Sequence, residues 1–438
     1  MNIIKLFSKH LPNNVKHLVS PFYYRYRSHK ANNQYEVPDK NLSRQADAPN
    51  HVLIVTIDAL RPDHSPNIDI EWSKAITAGT WTFPSVSSIH TGLRPSDHGA
   101  VAHTSPGDDT YAMPNQTTKT PVLPQYMDAA GYETYAGCAF LTPFLTLEGW
   151  YQTHRCYRDA PAETVVSDYQ KWRESRDQTF AYLHLGDLHA EVNPPESYVE
   201  THDVDRSLPD LGSISKYKTD FDPEDEGHQY YRKQKLKLYQ AALEYVSDTL
   251  EPLIAEYGGD TAIYICGDHG ECLWEHQELD REITDSRPNY CFGHGGTPFD
   301  MVARVPLGTV NAPSPHGGHG SLRDLPQTIL RTVTDEVDIP GLDWAKDIPE
   351  DRSVVCEATR YGVERKAVYR GEHKLIRSQS DDVTLEATVT DDGESFGELP
   401  KDIVSSLLAE LPDRWEDNSV SHEVSAITKD QLKALGYK

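Results

Sequence analysis

A short apolar run, Val52-Leu53-Ile54-Val55-Thr56-Ile57, ends in Asp58 and most constrains the fold. A run that is β-branched and apolar at successive positions is typical of a strand buried on both faces of a parallel sheet. Asp58 then lies at the carboxyl end of that strand, where open α/β sheets bind ligands. We therefore predict that Asp58 is a metal ligand or an acid/base group, with a helix cap as the alternative.

Further apolar runs predict strands over residues 132–137, 179–185 and 261–266, and helical patterns cover 122–130 and 230–256. This alternation predicts an α/β protein with a doubly wound sheet and helices on both faces. From about residue 351 the strands become short, which predicts a small C-terminal antiparallel sheet.

The chain of 438 residues is long enough for one large domain with appendages. We expect four parts: a basic N-terminal extension over 1–50, an α/β catalytic domain over 51–345, a small β subdomain over 346–395, and an acidic tail over 396–438 with a short terminal helix. The loops at 100–120 and 190–230 carry no readable substrate code, and the length of the second makes it a candidate lid.

A second stretch, Trp81 to Gly92, offers a hydroxyl as a candidate nucleophile. Thr82 precedes Pro84 by two residues, and proline is favoured in the first turn of a helix. Backbone N–H groups at such a helix start attract an anion, which suits a phosphate or sulfate group attacked by the threonine oxygen. A plain helix cap is the alternative.

Acidic and imidazole side chains occur together in the loops of this predicted domain, five of the six within four residues of a predicted strand end. They are Asp58, Asp187, His189, Asp268, His269 and His294. Such a gathering predicts a metal or anion site. Carboxylate ligands suit calcium, magnesium or manganese and histidines admit zinc, so the identity of the divalent metal stays open, as does the choice between one ion and two.

Lysine and arginine total 42 and aspartate and glutamate total 68, so the formal net charge is −26. This excess repels phosphate backbones and argues against nucleic-acid binding. The excess of acidic residues also indicates a halophilic setting, where salt screens the repulsion between the protein's own negative charges. The six cysteines form no CxxC pair, so disulfides are not required and a reducing cytoplasm is expected.

Residues 1–35 contrast with this acidity, because they contain six lysines or arginines and no acid. Apolar residues recur every four positions at Ile3, Phe7, Leu11 and Val15. This spacing predicts a basic amphipathic helix on an anionic membrane or partner, interrupted at Pro12. An arm that folds back on the acidic body is the alternative. No apolar run is long enough to span a membrane or to serve as a signal peptide.

Five separated motifs between His51 and about Lys374 resemble the sulfatase family of the alkaline phosphatase superfamily, in a haloarchaeal-type sequence. They are "HVLIVTIDALRPDH", "TFPSVSSIHTGLRPSDHG", "LHLGDLHAEVNPP", "YICGDHGE" and "FGHGGTPFDMVARVPL". The resemblance implies an alkaline-phosphatase-like fold and a divalent metal. Position by position, it implies metal ligands at Asp58, Asp268, His269 and Asp187, a nucleophile at Thr82, and substrate-contacting or acid/base roles for His189 and His294.

Two departures from that family affect the predicted chemistry. Thr82 stands where sulfatases carry a cysteine or serine that is oxidised to formylglycine, and Val86 stands where they carry arginine. Threonine cannot form that aldehyde, so we favour phosphate esters or diesters over sulfate esters. Ala59 stands where many sulfatases place a second aspartate, so one expected ligand is absent.

The sequence therefore predicts a metal-dependent hydrolase of a small anionic ester, with a glycan ester among the candidates. Two alternatives stay open. One is a phosphotransferase that acts on a glycan or lipid alcohol. The other is a non-catalytic homologue that binds metal and anion.

Overall fold

An eight-stranded mixed sheet lies at the centre of the protein. The computed structural model describes residues 13–39, 41–101, 122–213, 217, 220–285 and 290–415, with side chains from residue 21 onward. The amphipathic segment predicted before residue 13, the loop at 105–120 and the terminal helix at 429–437 lie outside these residues.

Fifteen strands occur in the described residues. In chain order they are β1 (His51–Ile57), β2 (Glu71–Ile76), β3 (Glu133–Cys138), β4 (Thr153–Cys156), β5 (Thr179–Leu185), β6 (Thr261–Gly267), β7 (Cys272–Leu273), β8 (Phe292–Gly293), β9 (Arg304–Val310), β10 (Gly320–Ser321), β11 (Val354–Cys356), β12 (Arg365–Arg370), β13 (His373–Ser378), β14 (Val383–Thr390) and β15 (Gly393–Phe396).

The central sheet has the order β10-β2-β9-β6-β1-β5-β3-β4. Strands β1, β3, β4, β5 and β6 are parallel, whereas β9 runs antiparallel to both β2 and β6. The four predicted strands correspond to β1, β3, β5 and β6. The sheet is therefore mixed rather than purely parallel, because β9 enters between β6 and β2 in the opposite direction.

The helices and helical turns of the described residues are, in chain order, Asn13–Asn32, Thr82–Thr91, Pro95–His98, Leu123–Ala129, Leu141–Leu147, Ala162–Arg173, Glu196–Thr201, Glu226–Tyr257, Gln277–Asp280, Asp300–Ala303, a 3-10 turn at Leu322–Asp324, Leu325–Arg331 and Lys401–Leu408.

Strand β1 shows how the helices cover both faces of the sheet. All seven of its residues are buried, and alternate side chains point to opposite faces. Val52 and Ile54 pack in one apolar cluster with the helix Thr82–Thr91. Leu53 and Val55 pack in a second cluster with the helices Ala162–Arg173 and Glu226–Tyr257. The predicted α/β class with helices on both faces is confirmed.

The predicted C-terminal sheet is also confirmed, as a five-stranded antiparallel sheet in the order β11-β12-β13-β14-β15. Its last two strands, β14 and β15, continue it as far as Phe396. The N–H of Glu357, just after β11, donates to the carbonyl of Ala78 at 2.9 Å and links this sheet to the central domain.

The N-terminal helix Asn13–Asn32 packs along the edge strand β4. The side chains of Ser28 and Asn32 accept hydrogen bonds from the N–H groups of Cys156 (3.0 Å) and His154 (2.7 Å). Later helix residues therefore lie beside earlier strand residues, so the helix runs antiparallel to β4.

All six cysteines are buried and unpaired. In the part of the chain that the structure describes, no helix combines the length and the apolar character needed to cross a membrane.

Lys374 illustrates how the C-terminal sheet is held together. Its ammonium group is fully buried and contacts Asp300 Oδ1 at 2.9 Å and the carboxylate of Glu394. Burial alone would raise the pKa of Asp300, but Lys374 and Arg304 hold it below its usual range. This network gives Lys374 a structural role, because it joins β13 to Asp300 and to Glu394 on β15.

We expect the substitution Lys374→Met to lower the free energy of unfolding by about 3–5 kcal/mol, because it leaves buried carboxylates without their cation. Thermal unfolding followed by circular dichroism measures the change. Lys401→Met, at an exposed position in the helix Lys401–Leu408, is the matched control and leaves the melting temperature unchanged. Equal melting of Lys374→Met and the wild type would contradict this account.

Candidate active site

Two carboxylates lie side by side at the carboxyl edge of the central sheet. Strands β1 and β6 are neighbours, and the last residue of β1, Ile57, pairs with the last residue of β6, Gly267. The next residues along each chain are Asp58 and Asp268, and both are fully buried. The strand register therefore brings together two acids that are 210 residues apart in the sequence.

The hydrogen bonds of these two acids are incomplete within the described residues. Asp58 Oδ2 is 3.1 Å from the Thr82 hydroxyl, which donates to it, and 3.0 Å from His184 Nε2. Asp268 Oδ1 accepts from the N–H of His269 at 3.0 Å. Neither Asp58 Oδ1 nor Asp268 Oδ2 has a hydrogen-bond partner among the described residues. Buried carboxylate oxygens of this kind need a cation or a proton.

His269 points a ring nitrogen at the same space. Its Nδ1 lies 2.9 Å from the carbonyl oxygen of Gly270, which only accepts, so Nδ1 carries the proton and Nε2 the lone pair. Nε2 lies 3.6 Å from Asp58 Oδ1 and 3.6 Å from Asp268 Oδ2. A side chain at Gly270 would meet the Met301 carbonyl oxygen at 2.1 Å, so this turn requires glycine.

Thr82 is the first residue of the helix Thr82–Thr91, as its spacing from Pro84 predicted. The residue before the helix is Trp81, and no side chain caps the helix there. The Thr82 hydroxyl lies instead between Asp58 Oδ2 and His269 Nε2, at 3.1 and 3.2 Å. The helix start and the two acids therefore share one site.

The electrostatics of the paired acids favour a bound cation. Burial, followed by the charge of Asp58, raises the pKa of Asp268 well above its ordinary value. Burial also opposes ionisation of Asp58, but His189, His269 and His184 lower its pKa below the usual range. Two buried carboxylates with unsatisfied oxygens and a facing imidazole lone pair form a donor set that suits a divalent metal.

His184 is a site residue that sequence reasoning missed. It lies near the end of β5, and one group of potential ligand atoms within 4.8 Å of one another comes from Asp58, His184 and Asp268. Its Nδ1 lies 2.8 Å from Tyr182 Oη. His184 is therefore either a further candidate metal ligand or the group that orients Asp58. The available signal was a polar side chain near the carboxyl end of an otherwise apolar strand.

His189 and His294 join the site in a row of imidazoles. The ring of His294 lies 4.3 Å from that of His269 and 5.1 Å from that of His189, measured between centroids. His294 Nδ1 lies 2.7 Å from Glu271 Oε2, and His189 Nδ1 lies 2.7 Å from the Ala190 carbonyl. Glu271, a second residue missed in the sequence, orients His294.

Asp187 contacts a helix and not the other acids of the site. Its Oδ1 accepts from the N–H of Ala162 at 3.2 Å, at the start of the helix Ala162–Arg173. Burial raises the pKa of Asp187 to about 7. Asp187 does not belong to the group of ligand atoms around Asp58, and its assignment as a metal ligand stays a prediction.

Val86 and Ala59, which with Thr82 depart from the sulfatase pattern, are both buried. Val86 is part of the apolar cluster beneath the sheet face. Ala59 is fully buried, with a backbone φ of 60°, and its carbonyl accepts from Tyr239 Oη at 2.9 Å. Ala59 supplies no side-chain ligand next to Asp58.

The candidate lid packs against the site loops. Within the described residues of this excursion, Leu211 and Phe221 share an apolar cluster with Trp274 and Phe292, on the hairpin β7–β8 that separates His269 from His294. Buried Lys235 donates to the carbonyls of Leu211 and Ser213, both at 2.7 Å. The excursion therefore forms part of the wall around the site loops.

Several solved structures share the fold of this chain over most of its length. One solved protein, in complex with its substrate D-glucosamine-2-N,6-O-disulfate, has a TM-score of 0.60 and 12% identity over 89% of this chain and 98% of that chain. The lipoteichoic acid synthase of Listeria monocytogenes has a TM-score of 0.50 and 12% identity over 93% and 98%. The phosphonate monoester hydrolase of Silicibacter pomeroyi has a TM-score of 0.50 and 15% identity over 82% and 93%.

These identities establish a shared fold and nothing finer. No curated protein matches the sequence significantly. Residues 62–334, more than half of the chain, match the sequence family described as Sulfatase. The chain therefore belongs to the sulfatase family.

Proposed function

We propose that this protein is a metal-dependent hydrolase of phosphate esters or diesters in which Thr82 is the nucleophile. The observation that carries the proposal is the position of Thr82 Oγ1. It lies 3.1 Å from Asp58 Oδ2 and 3.2 Å from His269 Nε2, at the start of a helix. A hydroxyl held between a carboxylate and an imidazole, with helix N–H groups beside it, is suited to attack an anionic ester.

Asp58, Asp268 and His269 are the residues that would hold the cation, with His184 as a further ligand or as the group that orients Asp58. A divalent metal bound there supplies Lewis-acid stabilisation of the ester oxygens and lowers the pKa of the Thr82 hydroxyl. The donor set of two carboxylates and one or two imidazoles is compatible with manganese, magnesium, calcium or zinc.

The chain's own residues account for two displacements. Thr82 Oγ1 attacks phosphorus in line, the Oγ1–P bond forms and the bond to the leaving oxygen breaks. Asp58 Oδ2 receives the hydroxyl proton, and His189 or His294 protonates the leaving oxygen. N–H groups at the helix start hold the developing charge. Water then attacks phosphorus and gives a proton to the imidazole that had protonated the leaving oxygen, while the bond to Thr82 breaks and Asp58 returns its proton to Oγ1.

Thr82 argues against sulfate ester hydrolysis by the formylglycine route that the sulfatase resemblance implies. That route needs an aldehyde hydrate, and a threonine side chain cannot be oxidised to that aldehyde. The buried valine at position 86 also supplies no cation where the family carries arginine. Phosphate chemistry needs neither feature, since water or another alcohol can resolve a phosphothreonine.

Transfer of the phospho-group to an alcohol is the second candidate. The shared fold with the lipoteichoic acid synthase of Listeria monocytogenes supports it, as does the resemblance of Thr82 to threonine nucleophiles of transferase branches. Hydrolysis and transfer have the same first step and differ only in whether water or an alcohol enters second.

We expect Thr82→Ala to lower kcat by at least about 10³-fold with a phosphate diester, because the nucleophile is lost. Thr82→Ser keeps the hydroxyl and retains activity within about tenfold of the wild type. Thr91→Ala is the control, since its hydroxyl bonds the Ser87 carbonyl at the far end of the same helix. Steady-state assays with phosphate monoester, diester and sulfate ester substrates measure these effects. Unchanged turnover by Thr82→Ala would remove Thr82 from the mechanism.

Measured metal affinity shows which of the two aspartates, Asp268 and Asp187, is a metal ligand. We expect Asp268→Asn to weaken binding of Mn²⁺ or Zn²⁺ by at least about 100-fold, because it removes a carboxylate charge from the site. Asp187→Asn tests the remaining ligand assignment, and its contact with Ala162 predicts unchanged affinity. Isothermal titration calorimetry on metal-stripped protein gives both values. A large loss in Asp187→Asn would place that residue among the ligands, whereas no loss in Asp268→Asn would contradict the site.

Product analysis distinguishes hydrolysis from transfer. Adding glycerol or a soluble glycan to the diester assay leaves the amount of free phosphate monoester unchanged if water is the acceptor. A transferase instead diverts product into a new phosphodiester as the alcohol concentration rises. We expect hydrolysis to dominate, and phosphorus NMR of the reaction mixture measures the ratio of the two products.

A further inference from the structure

The helix Asn13–Asn32 presents aromatic and basic side chains to solvent. Phe22 is 72% exposed and Tyr26 is 43% exposed. Arg25, His29 and Lys30 are exposed on the same helix. Large aromatic side chains on a soluble surface usually mark a contact site when they form a group. This group is unusual in a chain whose net charge is −26.

The opposite face of the helix is firmly attached to the protein. Tyr23 and Tyr24 are buried in the main apolar cluster. Arg27 Nη2 forms an ion pair with Glu148 Oε2 at 2.6 Å, in a largely buried position. The exposed face is therefore held in one orientation by the packed face. Phe22 and Tyr26 remain outside the core because the opposite face of the helix packs against β4.

The direction of the helix places this face at the same sheet edge as the site. Ser28 lies beside Cys156, the last residue of β4, and the helix runs antiparallel to that strand. Going back six residues to Phe22 at 1.5 Å per residue extends the helix about 9 Å beyond the strand end. β4 is parallel to β1 and three strands away, or about 15 Å at the usual spacing. The aromatic face thus lies on the Asp58 side of the sheet.

Further basic residues surround this position. Arg155 on β4 and Arg158 just after it are exposed. Arg158 is close enough to Tyr24 to counteract the rise in the pKa of Tyr24 that burial causes. Exposed basic side chains on the helix and around β4 therefore share one corner of an acidic protein.

We propose that the exposed face of the helix Asn13–Asn32 binds the surface of an anionic phospholipid bilayer, with Phe22 and Tyr26 in the headgroup layer. Aromatic rings are favoured at the membrane interface, and lysine and arginine are attracted to anionic lipids. The negative charge of the rest of the protein opposes general adsorption, so the contact is confined to this corner. Binding here turns the Asp58 edge of the sheet toward the bilayer. The proposal does not depend on Thr82 chemistry.

Flotation of the full-length protein with phosphatidylcholine vesicles, with and without phosphatidylglycerol, tests the proposal. We expect binding to the anionic vesicles only. F22S/Y26S removes the aromatic contacts, and R25E/R155E/R158E reverses three exposed basic residues. Each variant lowers the partition coefficient by at least about tenfold, since each basic residue near the surface contributes measurably to binding. Thr82→Ala binds like the wild type.

Two matched controls keep the test specific. K171E/K233E/K401E makes the same charge change at exposed lysines elsewhere, and L342S/L408S removes two exposed apolar side chains elsewhere. Both bind vesicles like the wild type. Circular dichroism verifies that every variant is folded. The proposal is overturned if the wild type fails to bind anionic vesicles or if the control variants lose as much binding. It is also overturned if F22S/Y26S binds as well as the wild type, because binding would then be to anions in general and not to a membrane.

Discussion

The pairing of β1 with β6 is the interaction on which the site depends. Because Ile57 and Gly267 are register partners, Asp58 and Asp268 leave their strands at the same level, both without access to water. Two acids in that position repel each other, and each retains an oxygen without a hydrogen bond among the described residues. The apolar clusters on both sheet faces hold them there. A divalent cation bound between them would relieve this repulsion, and this is the physical basis of the proposed metal site.

The surrounding groups follow from the same edge. The start of the helix Thr82–Thr91 delivers a hydroxyl to Asp58, and the turn after β6 aims His269 at both acids. His294 stacks beside His269 from a separate loop and is oriented by Glu271. Each element contributes one or two groups and none forms the site alone. Loss of the strand register would therefore separate the candidate nucleophile, the candidate ligands and the imidazoles from one another.

Much of this arrangement was predictable from the sequence, for identifiable reasons. Buried parallel strands are marked by continuous apolar runs, so β1, β5 and β6 and the acids after two of them were found directly. Strand β9 was missed because Pro306 and Gly308 interrupt its apolar pattern. His184 was missed because a polar residue inside a strand reads as part of the strand. The contact of Asp187 with Ala162 depends on tertiary packing that spacing alone does not encode.

The central claim is that Thr82 forms a covalent phospho-intermediate at a metal site built on β1 and β6. The stereochemical course at phosphorus tests it most directly. Hydrolysis of a chiral phosphorothioate diester in isotopically labelled water proceeds with net retention if Thr82 attacks first and water second, because two in-line displacements each invert the configuration. Net inversion would show a single attack by water and would contradict the account.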